Sequence, residues 1–444
     1  MGGLVLALLV PLRLVENTLR ERLARHDAAI GEIAQAWGRA QRLLGPVLVV
    51  PYSFQAEADE WTVLPDGRRV RERTRRTVTA EAFFLPERLD IAGELEPAER
   101  ARGIYRTHVY AAKLRVTGRF AAPDLAFTTL TGLDVQWARA RVGIAFGDLR
   151  GTREALVLKW GDSEAALQPG ARLDGFGPGL HAPVKLAPGA GPVDFALELT
   201  LNGSERFTVV PLGRQTTVRL ASSWRAPGFG GAFLPVRREV TPQGFTSEWA
   251  VSHYSRDFPQ EWSTHGAVTA PEAAAVEATA FGVNLVETIT AYRTIERAIK
   301  YGVLFLALVF AAFFLFETVS RVRLSALNYL LVGAALCLFY LGLLSLSEVV
   351  GFTRAYAGAA AASLVLIGLY GRSVLCSDRR ALAVSAMLGA VYGYLYFVLQ
   401  MEDFALLAGT VALFVLLAAV MFATRRLDRG EREPRPVTES GPVS

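Results

Sequence analysis

Hydrophobic and polar positions divide the chain into two unlike parts. Between residues 301 and 423, five apolar runs follow one another with only short polar turns between them: roughly Tyr301–Val319, Leu327–Leu346, Ala355–Val374, Ala381–Leu399 and Phe404–Ala423. Each approaches the ~20 residues a helix needs to cross ~30 Å of hydrocarbon. The eleven charged residues of this stretch fall almost entirely in turns or at the ends of runs. The pattern predicts a five-helix transmembrane bundle over residues 299–424. A shorter run, Gly2–Leu12, continues to Val15 apart from Arg13 and predicts an N-terminal anchor over residues 1–15.

Residues 16–298 follow other periods. Leu19, Leu23, Ile30, Ile33 and Trp37 recur at three-and-four spacing, which predicts an amphipathic helix over Glu16–Leu43, ended by Gly45-Pro46. Strand alternation takes over beyond it. Phe195, Leu197, Leu199 and Leu201 line one face of one strand, and Ala138, Ala140, Val142, Ile144 and Phe146 one face of another. Asn202-Gly203 and Pro242-Gln-Gly244 read as turns, and Pro169–Pro192 as a long loop or a seam between subdomains. The expected fold class is a polytopic α-helical membrane protein. A large extracytoplasmic β-rich (α+β) domain lies between its first helix and helices two to six.

Arginine placement sets the expected orientation. Arg425, Arg426, Arg429, Arg432 and Arg435 in the tail 425–444, Arg372, Arg379 and Arg380 in one loop, and Arg321 and Arg323 in another all fall on one side. Only Arg354 falls in the opposite loops, beside the acidic Glu402 and Asp403. Both ends are therefore expected in the cytoplasm and residues 16–298 in the periplasm. Arg293, Arg297 and Lys300 oppose this bias without reversing it. The N-terminal run lacks a small-x-small cleavage site and so reads as an uncleaved signal anchor. About 14 residues at 1.5 Å span only ~21 Å, so the expectation is that the start at Met1 truncates a longer helix.

Composition supports this division. The chain has 444 residues, 52% hydrophobic and 20% charged, with 47 Lys+Arg against 42 Asp+Glu. Disorder is excluded by the apolar content, and a wholly embedded chain by the cost of hiding so many charges. The net charge of +5 is spread along the chain, which gives no nucleic-acid footprint. Both cysteines, Cys337 and Cys376, lie in the apolar part, so the exported domain has neither disulfides nor a Cys-based metal module.

Candidate chemistry is sparse. His26, His108, His181, His253 and His265 have no metal-ligand spacing, and neither a nucleophile elbow nor a phosphate loop is present. Gly228-Phe-Gly-Gly231 lacks a following Lys-Ser/Thr and reads as a loop needing unusual backbone angles. No cofactor or metal is expected. In the bundle, Glu317 and Glu348 are costly near hydrocarbon. They suit a proton or substrate path, or else sit at interface depth with Glu317 pairing Arg321. Gly389-x-x-x-Gly393 offers a close-packing face, within the bundle or for a homo-oligomer.

Many short segments, in order, resemble one family. They are Glu21-Arg22, Trp37-Gly-x-x-Gln41, Gly45-Pro-Val-Leu-Val-Val-Pro-Tyr52, Asp148-Leu-Arg-Gly151 and Asn202-Gly-Ser204. Ser223-Trp224, Pro227-Gly-Phe-Gly-Gly-Ala-Phe-Leu-Pro235, Gly244-Phe245, Trp249, Phe281-Gly-Val283 and Tyr292 follow. Arg297-Ala-Ile-Lys-Tyr301, Phe313-Phe-Leu-Phe-Glu317, Leu344-Ser-Leu-Ser-Glu348 and Thr424-Arg425 complete the series. The chain thus resembles the CreD family, inner-membrane proteins described in terms of cell-envelope integrity. It departs from that pattern in its shorter apolar N-terminus, in Gly228-Phe229 where Ser-Phe is usual, and in Asp428-Arg429 where an aromatic is usual. The resemblance implies an envelope role linked to two-component control and cell-wall stress, and supplies no reaction.

The expected function is non-enzymatic support of envelope integrity, through binding of an envelope protein or cell-wall component by the periplasmic domain. Trp224, Phe229, Phe233 and Trp249 are candidates for its contact surface, because aromatics dominate interfaces; the other reading makes them core. The alternative function is a transporter or channel for an envelope metabolite using Glu317, Glu348 and the bundle tyrosines. An envelope hydrolase would lack a recognisable nucleophile–base set.

Overall fold

The computed structural model describes residues 2–63, 69–152, 155–285, 291–320, 325–375, 377–401 and 405–424. Two units emerge, residues 28–287 and residues 1–27 with 288–444, and helix α1 (Gly2–Trp37) contributes to both. The first unit begins with strands β1 (Gln41–Val63), β2 (Arg69–Phe84), β3 (Arg88–Arg102), β4 (Tyr105–Phe120), β5 (Asp134–Val135) and β6 (Arg141–Ala145). Strands β7 (Val157–Trp160), β8 (Ser163–Ala166), β9 (Gln168–Pro169), β10 (Gly179–Pro183), β11 (Val193–Ser204) and β12 (Arg206–Val209) follow. The unit closes with β13 (Gln215–Ser222), β14 (Gly228–Gly231), β15 (Arg237–Thr241), β16 (Gly244–Ser252), β17 (Glu261–Ser263), helix α2 (Ala273–Ala278) and β18 (Phe281–Asn284).

Among the described residues these strands form two sheets. One is ten-stranded, ordered β14-β18-β12-β1-β6-β10-β9, with β2 and β5 also on β1 and β17 on β2. The other is eight-stranded, ordered β15-β16-β13-β3-β4-β11-β7-β8. The inner faces of both enclose one hydrophobic core, holding Val49, Tyr52 and Phe207 from the first sheet and Leu89, Leu114 and Trp249 from the second. Period-2 alternation explains the smaller sheet directly: in β11, Phe195, Leu197, Leu199 and Leu201 point inward while Asp194, Glu198 and Thr200 do not.

Several element ends differ from the sequence expectation, each for a local reason. The first helix stops at Trp37 rather than Leu43. Gly38 takes a φ of 140°, and a Cβ there would lie 2.3 Å from the Asn202 carbonyl, a conformation and a space that only glycine fills. Gly45-Pro46 instead sits inside β1, where the register with β6 shifts between Leu44 and Val47. The strand expected from Ala138 starts at Arg141 after a single helical turn, and all five of its residues are buried, because it lies between β1 and β10. Asn202-Gly203 is not a turn but lies near the end of β11; the chain bends at Glu205, which takes a φ of 63°, and passes from the eight-stranded sheet into the ten-stranded one. Pro169–Pro192 is not all loop, since β10 lies within it. Pro242-Gln243 does connect an antiparallel hairpin, β15 to β16.

The second unit adds α3 (Ala291–Lys300), α4 (Gly302–Ser320), α5 (Ala326–Val350), α6 (Phe352–Leu375), α7 (Asp378–Gln400) and α8 (Ala405–Thr424). Helices therefore occupy all five of the apolar runs. Among the described residues three, Ala326–Val350, Phe352–Val374 and Asp378–Gln400, are long and apolar enough to cross a membrane. Leu8, Leu12, Val15 and Leu19 of α1 share a core with Ile295 and Ala298 of α3 and with Phe305, Phe339 and Tyr392. This shared packing is why the units divide near residues 27 and 287, inside the segment 16–298 that composition assigns to one domain. The tail 425–444 and the Arg321–Arg323 turn lie outside the described residues.

Candidate functional site

Three of the short segments singled out in the sequence, far apart in the chain, meet at the start of β1. Gln41, buried, donates from Nε2 to the carbonyls of Asn202 at 2.8 Å and Asp148 at 3.0 Å, and its Oε1 accepts from the Asp148 N–H at 3.2 Å. The Asp148 carboxylate accepts from the Arg150 N–H at 3.0 Å, from the Arg150 guanidinium at 2.9 Å and from the Arg39 N–H at 3.4 Å. Burial pushes the Asp148 carboxyl up, but these donors and the Arg150 charge outweigh it and hold it below the usual carboxylate range. Nearby, Trp37 Nε1 donates to the Tyr110 carbonyl at 3.1 Å, and burial raises the Tyr110 phenol, whose hydroxyl donates to the Arg206 carbonyl at 2.6 Å. This knot is structural. It pins the first residues of β1 beside β12.

Those pinned residues form one wall of a groove of about 590 Å³ on the outer face of the ten-stranded sheet. Register explains its lining. Arg42, Thr208, Gly282 and Gly230 lie side by side across β1, β12, β18 and β14, and Arg206, Asn284 and Gly228 form the next row. The alternate residues of the same strands, Leu43, Phe207, Val283 and Phe281, are buried on the other face. Arg42 pairs with Glu277 of α2 at 2.6 Å across the groove. Gly228-Phe-Gly-Gly231 is thus a strand rather than a loop, and only part of it needs glycine for backbone reasons. At Gly231 φ is 102° and a Cβ would lie 2.3 Å from the Ala280 carbonyl. At Gly230 no such angle occurs, and a Cβ would meet only the Asn284 amide nitrogen, at 3.8 Å.

The aromatic candidates are packed inward. Trp249 is fully buried, against Phe229 at 5.9 Å and Phe281 at 5.6 Å, and donates to the Phe233 carbonyl at 3.3 Å. Trp224 is 9% exposed, bonded to the Ala226 carbonyl at 2.9 Å, with its ring centroid 4.8 Å from that of His108 in an edge-on arrangement. Phe229 and Phe233 are half-buried, contacting Phe245 and Phe281. All four pack in or against the core, and Phe229 and Trp249 join the two sheets through Phe245 and Phe281. Strand alternation turns Phe229 of β14 and Trp249 of β16 toward the core, whereas Trp224 and Phe233 lie in the connections beside these strands.

The two bundle carboxylates are not brought together. Glu317 of α4 accepts from the Tyr329 hydroxyl at 2.7 Å, whereas Glu348 meets Arg22 of α1 at 3.4 Å. Tyr329 and Glu348 are roughly 28 Å apart along α5 at 1.5 Å per residue. Arg321, the partner expected for Glu317, lies outside the described residues. Several bundle tyrosines bond within the bundle, as Tyr356 does to the Tyr392 carbonyl at 2.7 Å, while the buried Tyr340 hydroxyl has no partner among the described residues. Gly389 faces Leu364 of α6, while nothing lies within 4 Å of a Cβ at Gly393. Among the described residues no group of His, Cys, Asp or Glu is placed to hold a metal ion.

Arg42, Arg206, Thr208, Glu277 and Asn284 escaped the sequence reading. The signal for Arg206, Thr208 and Asn284 was present in Arg206-Phe-Thr-Val209 and Phe281-Gly-Val-Asn284, where polar or glycine residues alternate with apolar ones. Comparison with known proteins adds the family. The model of the family described as inner membrane protein CreD matches residues 1–429. The inner membrane protein CreD of Escherichia coli (strain K12) is 32% identical over 427 residues, covering 96% of this chain and 91% of that protein.

Proposed function

The chain belongs to the CreD family of inner membrane proteins, and from that premise we propose that it supports cell-envelope integrity without catalysis, by binding an envelope component in the groove of its β-rich unit. In this reading α1 and α4–α8 cross the membrane, both ends are cytoplasmic, and the β-rich unit lies in the periplasm. The excess of arginine in the loops and tail assigned to the cytoplasm supports that orientation.

The observation that carries the binding role is Gly230. It is a glycine without a steric or conformational reason, at the floor of a groove walled by charged side chains. A missing side chain there leaves backbone open to a ligand. The test is Gly230→Val in the full-length protein, expressed in cells that lack the native copy. The variant is expected to reach wild-type levels in the membrane and to keep the wild-type unfolding temperature, yet to fail to restore resistance to envelope stress. Normal rescue by this variant would overturn the groove as the binding site. Glu317→Gln and Glu348→Gln are expected to restore resistance fully; failure of both would favour transport instead.

A further inference from the structure

Resting on the binding role proposed above, we infer that the groove recognises an anionic group, a phosphate or carboxylate carried on a polar body, with Arg206 as its cation. On the other sheet several charges are paired, Arg119 with Asp194 at 2.6 Å, Lys113 with Glu96 at 2.6 Å, and Arg219 with Glu248 at 2.9 Å, while Arg238 lies over the Phe229 ring at 5.9 Å. Such ladders are a solvated surface. In the groove, Arg42 is likewise neutralised by Glu277. Arg206 differs. It is exposed and makes no side-chain ion pair or hydrogen bond among the described residues.

Asn284 stands directly opposite Arg206 across the β12–β18 pair, and its amide also makes no hydrogen bond among the described residues. Neighbouring strands are ~4.8 Å apart, so guanidinium and amide donors rise side by side from one face. That spacing suits two oxygens of a phosphate or carboxylate, the pairing in which arginine excels. The Thr208 hydroxyl in the next row donates to the Gln41 carbonyl at 3.3 Å and leaves the anion to Arg206 and Asn284, and Gly230 leaves room for the rest of the ligand. The apolar lining is limited to Ala40, Ala278 and Ala280, which gives an apolar ligand little to bury against.

The test titrates glucose 6-phosphate, galacturonate and glucose into the full-length protein in phosphatidylcholine nanodiscs, with calorimetry as the readout. Both anionic sugars are expected to bind, more weakly as salt rises, and glucose is not. Arg206→Ala should weaken the anions at least about tenfold, Arg206→Lys should retain part of the binding, and Gly230→Val should block it. Competition by phosphatidylglycerol nanodiscs would assign the anion to a lipid headgroup, and its absence to a soluble or cell-wall glycan. Glucose binding that Gly230→Val blocks and Arg206→Ala leaves intact would overturn the anion inference and keep the groove. If Gly230→Val neither changes binding nor impairs envelope resistance, both readings fail.

Discussion

On one side of strands β14, β18, β12 and β1, Phe229, Phe281, Val283, Phe207 and Leu43 turn to the core. On the other, Gly230, Gly282, Asn284, Arg206, Thr208 and Arg42 turn to the groove. The two sets alternate residue by residue, so backbone, register and solvent history are shared, and only side-chain chemistry differs. The inner face is closed by aromatic contacts between the sheets, Phe229 to Phe245 at 5.6 Å and Trp249 to Phe281 at 5.6 Å. The outer face carries no such closure. Stability is therefore concentrated on one face, which leaves the other free to be shaped by what it binds. The contrast also shows why aromatic residues, attractive as interface candidates in sequence, pack toward the core here.

The largest test of this contrast is Trp249→Ala. Removing a fully buried tryptophan from the junction of the sheets should cost about 3–5 kcal/mol. All seven tryptophans lie between Trp37 and Trp262, so their fluorescence follows the β-rich unit alone in the full-length protein. Its thermal transition should fall by many degrees. A variant that stays folded and merely loses a ligand would place Trp249 on the binding side and dissolve the distinction.

Next in size is Gly231→Ala. A φ of 102° and an Ala280 carbonyl 2.3 Å from the new Cβ make alanine strained there, at a cost of about 1–3 kcal/mol. An unchanged fluorescence transition would show that β14 can shift, and that its glycines are not doing distinct jobs.

Asp148→Asn probes the knot that holds β1 against β12. Loss of its charge-assisted bonds to Arg150 and Arg39 should cost about 1–3 kcal/mol at neutral pH. The folded carboxyl sits below its unfolded value, so its stabilisation is full above the unfolded value of ~3.9 and is lost as pH falls through the lowered folded one. Wild type and variant should therefore converge in acid. A gap that persists at the lowest pH would mean that packing, not charge, secures the knot.

How much of this could be read from the sequence depends on the range of the forces involved. The apolar runs near Tyr301–Val319 and Leu327–Leu346 became α4 and α5 with ends displaced by a few residues, because helix formation in an apolar run is set by neighbours along the chain. Alternation likewise revealed β11. The helix end at Gly38 was not legible, since the carbonyl that crowds it belongs to Asn202. Nor was the groove. Gln41 pairs with Phe207 and Gly228 with Asn284, and such register is chosen by partners distant in sequence. The motif Gly228-Phe-Gly-Gly231 was visible from the start, but whether it was loop or strand depended on β18, more than fifty residues away.

The smallest expected effect is the most informative about the outer face. Gly230→Ala adds a methyl group whose nearest neighbour would be the Asn284 amide nitrogen, at 3.8 Å, in a backbone conformation that alanine adopts freely. Alanine also narrows the unfolded ensemble, which at compatible sites stabilises by about 0.4–1 kcal/mol. The variant should unfold at the wild-type temperature or slightly above it, next to a Gly231→Ala variant that unfolds well below. A clear loss of stability at residue 230 would give its glycine a structural reason and remove the main ground for treating the groove as a site. Neutrality would leave a chain that forgoes available stability at one position on the groove floor, as the binding role of that groove requires.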